Sequence, residues 1–203
     1  MKKSVFTAFL VSAFIVVPTA QATFIDRGNG LIYDDVLDVT WLQDANYAYT
    51  SGYDTDGRMT WDDASLWAAN LSVEGYDDWR LPTYDPSNPR PITPTSANEF
   101  GSLWSQLGGG DSIFSDADAS PFFNLPFNND MDIWYWTGLE YDADPSRAWR
   151  MSMSCACWDA PLKSNEYFVW AVRDGDVAVP EPATVALLGL GIAGIGFARR
   201  KNL

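Results

Sequence analysis

Residues 95–110 read TSANEFGSLWSQLGGG, and this stretch decides what kind of domain the chain builds. Ser96 and Glu99 stand three apart, the spacing at which two side chains satisfy the free amides of a helix N-terminus. Phe100, Leu103, Trp104 and Leu107 follow at i, i+3, i+4 and i+7, one helical face, and three glycines end the run. Upstream, residues 82–94 hold five prolines in thirteen positions and read as a loop. Before it, residues 76–84 (YDDWRLPTY) read as a strand ending at Pro82. Residues 59–71 (MTWDDASLWAANL) read as a second helix: Thr60 caps it, Asp63 answers, and Trp61, Ala64, Ala68 and Leu71 share a face. Val39 to Leu42 form a short strand, and residues 23–35 a hairpin turning at 28–30. Downstream, residues 111–132 form a long acidic loop carrying Phe122, Phe123 and Phe127. Three strand-like runs close the domain: residues 133–141, 147–158 and 166–173, separated by turn-rich pieces and predicting an antiparallel meander. Two helices in the first half with strands at both ends make an α+β domain.

Both ends of the chain read as addresses. Residues 1–22 begin with Lys2 and Lys3, continue through an apolar stretch and finish Ala20-Gln21-Ala22, a small-x-small cleavage site. That is a secretory signal peptide cut after Ala22. At the other end, Pro180-Glu181-Pro182 precedes sixteen uncharged residues, 183–198, then Arg199, Arg200 and Lys201. Sixteen helical residues span about 24 Å, marginal against a hydrocarbon core of about 30 Å. The basic triplet belongs on the cytoplasmic side. Pro180 and Pro182 keep Glu181 extended, open to a processing enzyme. The GLGIAG inside this segment (189–194) is no dinucleotide fingerprint, because only nine residues follow it and no second strand can form.

The ordered set of Pro-Glu-Pro, apolar span and basic end resembles the PEP-CTERM sorting signal, over residues 180–203. The resemblance implies a Gram-negative envelope, an exosortase-like enzyme that removes the tail, and delivery to the cell surface, outer envelope or exopolysaccharide matrix. A permanent C-terminal membrane anchor is the other reading of the same helix.

Between the signals lie residues 23–179, one domain by length. Eight of the 13 basic and 26 of the 27 acidic residues fall there, giving a charge near −18. Nucleic acid and anionic polysaccharide are poor partners for such a surface. The chain has no histidine, which excludes Ser-His-Asp, Cys-His and zinc-His sites. Carboxylate chemistry and calcium remain open. All ten tryptophans lie in the domain, as core or as a sugar-stacking platform.

Two local patterns carry candidate chemistry. Asp54, Asp56 and Gly57, with Asp63 six residues after the glycine, put carboxylates at positions 3, 5 and 12 of an EF-hand-like calcium loop. Position 1 would be Gly52, which has no side-chain ligand. Cys155 and Cys157, the two cysteines of the chain, share one face of a strand. Export favours a disulfide, but this spacing fits disulfide geometry poorly, so a strained bridge and two buried thiols both stand.

The segments GLIYDDVLDVTWLQDAN, TWDDASLWAANLSVEGYDDWRLPT, ANEFGSLWSQL, YWTGLEYDADPSRAWRMSM and YFVWAVRDGD occur in that order from Gly30 to Asp176. Together they resemble the Lcl C-terminal domain family. The resemblance implies a C-type-lectin-like fold: two helices flanking a small twisted antiparallel sheet, with the N- and C-terminal strands paired. It also implies a binding role, since the family is named for the end domain of a collagen-like bacterial adhesin that binds sulfated polysaccharide. This chain departs from it in having no collagen-like repeat and a strongly acidic domain. The calcium-dependent sugar signatures of true C-type lectins are absent as well. The expectation is therefore a non-enzymatic surface or matrix protein, with no cofactor other than calcium, that takes neutral or cationic glycans or a protein. Phe122, Phe123 and Phe127 are its expected contact residues. The alternative is an oxidase of the formylglycine-generating type, which shares the scaffold and uses a cysteine pair with copper, by analogy of fold.

Overall fold

The Asn29-Gly30 pair turns the chain first. Both residues have positive φ (56° and 80°), the requirement of a tight type I′ hairpin turn that Asn-Gly meets best. The computed structural model describes residues 24–91, 93–108, 119–126 and 133–177. In it the turn joins β1 (Phe24–Gly28) to β2 (Leu31–Asp34), with a bulge between Asp26 and Gly28. Asp34 Oδ1 accepts the amides of Val36 and Leu37 at 3.0 and 3.1 Å and bends the chain into β3 (Val39–Leu42). The expected hairpin and strand are both present.

Two sheets form, not one. In the first, β9 (Val172–Asp174) pairs with β3, giving the antiparallel order β1-β2-β3-β9. The C-terminal strand thus joins the N-terminal meander, beside its third strand rather than its first. In the second, β4 (Arg58–Met59), β5 (Trp134–Glu140), β6 (Ala148–Ser152), β7 (Trp158–Asp159) and β8 (Tyr167–Phe168) take the order β4-β8-β5-β6-β7. Of the expected meander only the antiparallel β5-β6 pair forms: β7 takes its third place, and β8, from the third run, lies parallel to β5 on the other side. The run 166–173 is split: Val169, Trp170 and Ala171 are buried between two strands belonging to different sheets. The expected strand at 76–84 is reduced to isolated bridges, Tyr76 with Val73 and Arg80 with Val172, the latter pair exchanging backbone hydrogen bonds at 2.9 and 3.0 Å. Pro82 has no amide to extend it.

Helices are few: a single turn α1 (Tyr47–Thr50), α2 (Trp61–Ala69) and α3 (Glu99–Leu107). Thr60 and Asp63 cap α2 as expected. The Asp63 amide donates to Thr60 Oγ1 at 3.3 Å, and the Thr60 hydroxyl donates to Asp63 Oδ2 at 2.7 Å. Its core face is Ala64, Trp67 and Ala68, with Trp61 and Leu71 only partly covered. α3 starts two residues later than its capping box predicts. Ser96–Asn98 is a 3₁₀ turn, and Asn98 caps the helix by accepting the Gly101 amide at 2.9 Å. The domain is mixed and mostly strand. Its core is aromatic: Trp170 meets Trp41, Phe100 and Phe122 edge-on at centroid distances of 5.6, 6.2 and 5.1 Å.

Among the described residues no helix is long and apolar enough to cross a membrane. The signal peptide with Ala22, the triplet Pro180, Glu181 and Pro182, and the helix expected at 183–198 lie outside the described residues.

Candidate functional site

Gly138 lets a groove form. A side chain there would stand 3.3 Å from the Leu81 carbonyl. Without one, the Gly138 amide donates to Pro82 O at 2.8 Å and the segment 79–84 lies along β5. α2 supplies the opposite wall through Trp61, Ser65 and Ala69, and a cavity of about 490 Å³ remains between them. The Trp61 indole is fixed there: its Nε1 donates to Thr137 O at 2.8 Å, and the Lys163 ammonium lies 4.2 Å from its ring centroid. Lys163 is itself paired with Glu140 at 2.9 Å.

The remaining wall is Leu81, Thr83, Tyr84 and Leu139, with Arg80 at the rim. Arg80 gives two 2.7 Å hydrogen bonds to the buried Glu99 carboxylate and a third to Asp174. Those bonds to Glu99 hold the guanidinium firmly charged, and they occupy it. Tyr84 is only 4% exposed, and its hydroxyl is buried with no hydrogen-bond partner among the described residues. Burial, and then the neighbouring Asp85, push its phenol well above the usual range, so it stays a neutral donor. No carboxylate, thiol or amine lines this groove. It can hold an apolar or CH-rich face and offer hydrogen bonds, a size and lining typical of ligand pockets.

The residues expected to form sites lie elsewhere. Phe122, expected as a contact residue, is core: it is 2% exposed and packed on Trp170 and Phe24. Phe123 is 40% exposed, its backbone tied to Gln43 and Ala45. Phe127 lies outside the described residues. Asp54, Asp56 and Asp63 do not converge on a calcium position. Asp54 Oδ1 accepts the amides of Asp56 and Gly57, Asp56 Oδ1 accepts that of Arg58, and Asp63 belongs to the α2 cap. Turn and cap geometry accounts for their spacing. No group of three or more His, Cys, Asp or Glu arranged to hold a metal occurs among the described residues. Cys155 and Cys157 are joined in a disulfide across Ala156, whose φ is 49°. Arg90 donates to the Cys155 carbonyl at 2.6 Å.

All eight basic residues of the domain are described, and each is engaged within the domain. Six form ion pairs: Arg27, Arg80, Arg147, Arg150, Lys163 and Arg173. Arg58 lies over Phe168, and Arg90 over Trp104 and Trp158. Sequence reading missed the groove because its walls come from residues 61 to 139. No local pattern marks it, and Trp61 alone was visible, as a helix-face residue.

The PEP-CTERM protein-sorting motif matches residues 178–201. No curated protein matches the chain. The matched segment begins at the residue after Val177, where the described domain ends. The chain therefore carries an export and exosortase-dependent sorting signal, with an exosortase-like enzyme as the partner that processes it.

Proposed function

We propose that this is a cell-surface or extracellular-matrix protein whose domain is a non-enzymatic binding module. It takes an uncharged or cationic ligand, a neutral glycan or a protein segment, in the groove between α2 and residues 79–84. The observation that carries the reading is the groove itself: a cavity of about 490 Å³ walled by Trp61, Trp79, Leu81, Tyr84 and Leu139, with Ser65 and Thr83 as its polar side chains beside Arg80. The committed cations and the domain charge near −18 argue against a sulfated or nucleic-acid ligand.

The test is a glycan-array and partner screen with the secreted protein, followed by titration of the Ala69→Trp variant, whose side chain fills the groove. Ala69 is exposed at the end of α2, so the substitution changes stability by no more than about 0.5 kcal/mol. Occluding the groove weakens binding about tenfold or more, as expected for overfilling a packed contact. Tight binding of the wild-type protein to heparin at physiological salt would overturn the reading.

A further inference from the structure

Past β9 the chain does not leave the domain. Gly175, at φ 72°, turns it back. The Gly175 amide donates to Asp38 O at 2.7 Å, and its carbonyl accepts the Thr40 hydroxyl at 2.7 Å. The Asp176 carbonyl accepts from Arg173 at 3.1 Å. The Asp176 carboxylate, two residues past the strand at one edge of the sheet, takes Nε and Nη2 of Arg27 on β1 at the other edge, at 2.9 and 2.5 Å. Residues 175–177 are thus a strap lying across the first sheet. Arg27 is held in turn over the Tyr33 ring at 5.1 Å, and Val177 is buried at the strap's end.

The matched sorting motif begins at the next residue. Two residues, Ala178 and Val179, separate Val177 from Pro180 in the chain. An enzyme that draws in extended backbone on the N-terminal side of the triplet would reach residues 175–177 next. Here that backbone is the strap.

We propose that Arg27 and Asp176 control how this chain presents its sorting triplet. The strap has to come off the sheet before the enzyme can close on Pro180-Glu181-Pro182, and the Arg27–Asp176 pair sets how readily it does. Both residues are positioning residues in the substrate. The proposal rests on the sorting reading of residues 178–201.

The experiment follows tail removal by pulse-chase and intact mass, in cells that carry the processing enzyme. Four forms of the full chain are compared: wild type, Arg27→Ala, a spacer of about eight Gly/Ser residues between Val177 and Ala178 (a flexible coil), and the two together. Arg27→Ala speeds processing about threefold to tenfold, as expected for losing one charge-assisted pair. The spacer speeds it as much or more. With the spacer present, Arg27→Ala adds nothing, because extended chain is then supplied without moving the strap. A general loss of stability would not show that dependence. Unchanged or slower processing of the spacer form overturns the proposal, even if Arg27→Ala fails to fold. An unrelated exported reporter ending in residues 178–203 separates the two premises. A reporter that keeps its tail overturns the sorting reading. A trimmed reporter with a spacer that changes nothing overturns only the strap.

Discussion

Asp34 shows how far one side chain can depart from its appearance in sequence. In LIYD it looks like the polar end of an amphipathic strand, yet it is fully buried. Its carboxylate accepts the Val36 and Leu37 amides and Gln106 Nε2, the last at 2.9 Å. Burial still outweighs those bonds and raises its pKa. A raised folded-state pKa means the native protein holds that proton more tightly than the unfolded chain. The resulting stability is present below the ordinary carboxylate value of about 4 and is lost as pH rises through the folded value. Asp78 has the opposite sign. Arg173, at 2.6 and 2.9 Å, depresses it, so its contribution is lost as pH falls. Asp34→Asn keeps an acceptor for both amides, and with the Gln106 amide turned over its Nδ2 donates to Gln106 Oε1 in place of the lost Nε2 bond. The variant is expected to lose the stability decline above about pH 4 and to match or exceed wild type at neutral pH. Urea midpoints measured across that range check this. A variant less stable than wild type at every pH would refute it.

At the scale of the element, two segments with the same spacing fold differently. Thr60 and Asp63 form the reciprocal cap that three-residue spacing predicts. Ser96 and Glu99 do not: Asn98 caps α3, and the Glu99 carboxylate turns inward to Arg80 and the Thr83 amide. A cap closed by near neighbours is legible in sequence. A glutamate whose partner lies nineteen residues away is not, because the choice is made by packing. The strands divide the same way. The hairpin was legible through its turn at residues 28–30, and the β5-β6 pair through two strand-like runs with a turn-rich piece between them. The allocation of residues 166–173 to two sheets was not, since buried Val169, Trp170 and Ala171 carry no period that tells one sheet from another. The Arg80–Glu99 pair ties the start of α3 to the groove wall. Arg80→Met leaves Glu99 buried and unpaired. The expected loss in chemical denaturation is about 3 kcal/mol, the low end for a broken buried pair, because Arg80 keeps 34% of its side chain in water. A loss under about 1 kcal/mol, the value of a surface pair, would show that Glu99 is hydrated.

At the scale of the whole molecule, composition gave the sign of the surface but not its distribution. An excess near −18 was countable in the sequence. That six of eight cations are used in internal ion pairs was not. The two facts make opposing demands on salt. Screening weakens each pair, but those pairs are short-ranged and several are partly covered, so they lose little. The unpaired carboxylates repel one another over longer distances, and that repulsion is what salt removes most effectively. Between about 10 mM and about 150 mM NaCl the screening length falls from about 30 Å to about 8 Å, from the breadth of the domain to a few side chains. The self-repulsion of a highly charged compact state is relieved over that range. The melting temperature of the secreted protein should therefore rise by a few degrees, with an NaCl-matched sucrose series as the osmotic control. A fall with added salt would mean that the ion pairs outweigh the net charge. The rise should also be smaller after Asp174→Asn, which removes an exposed carboxylate whose Arg80 partner is already held by Glu99.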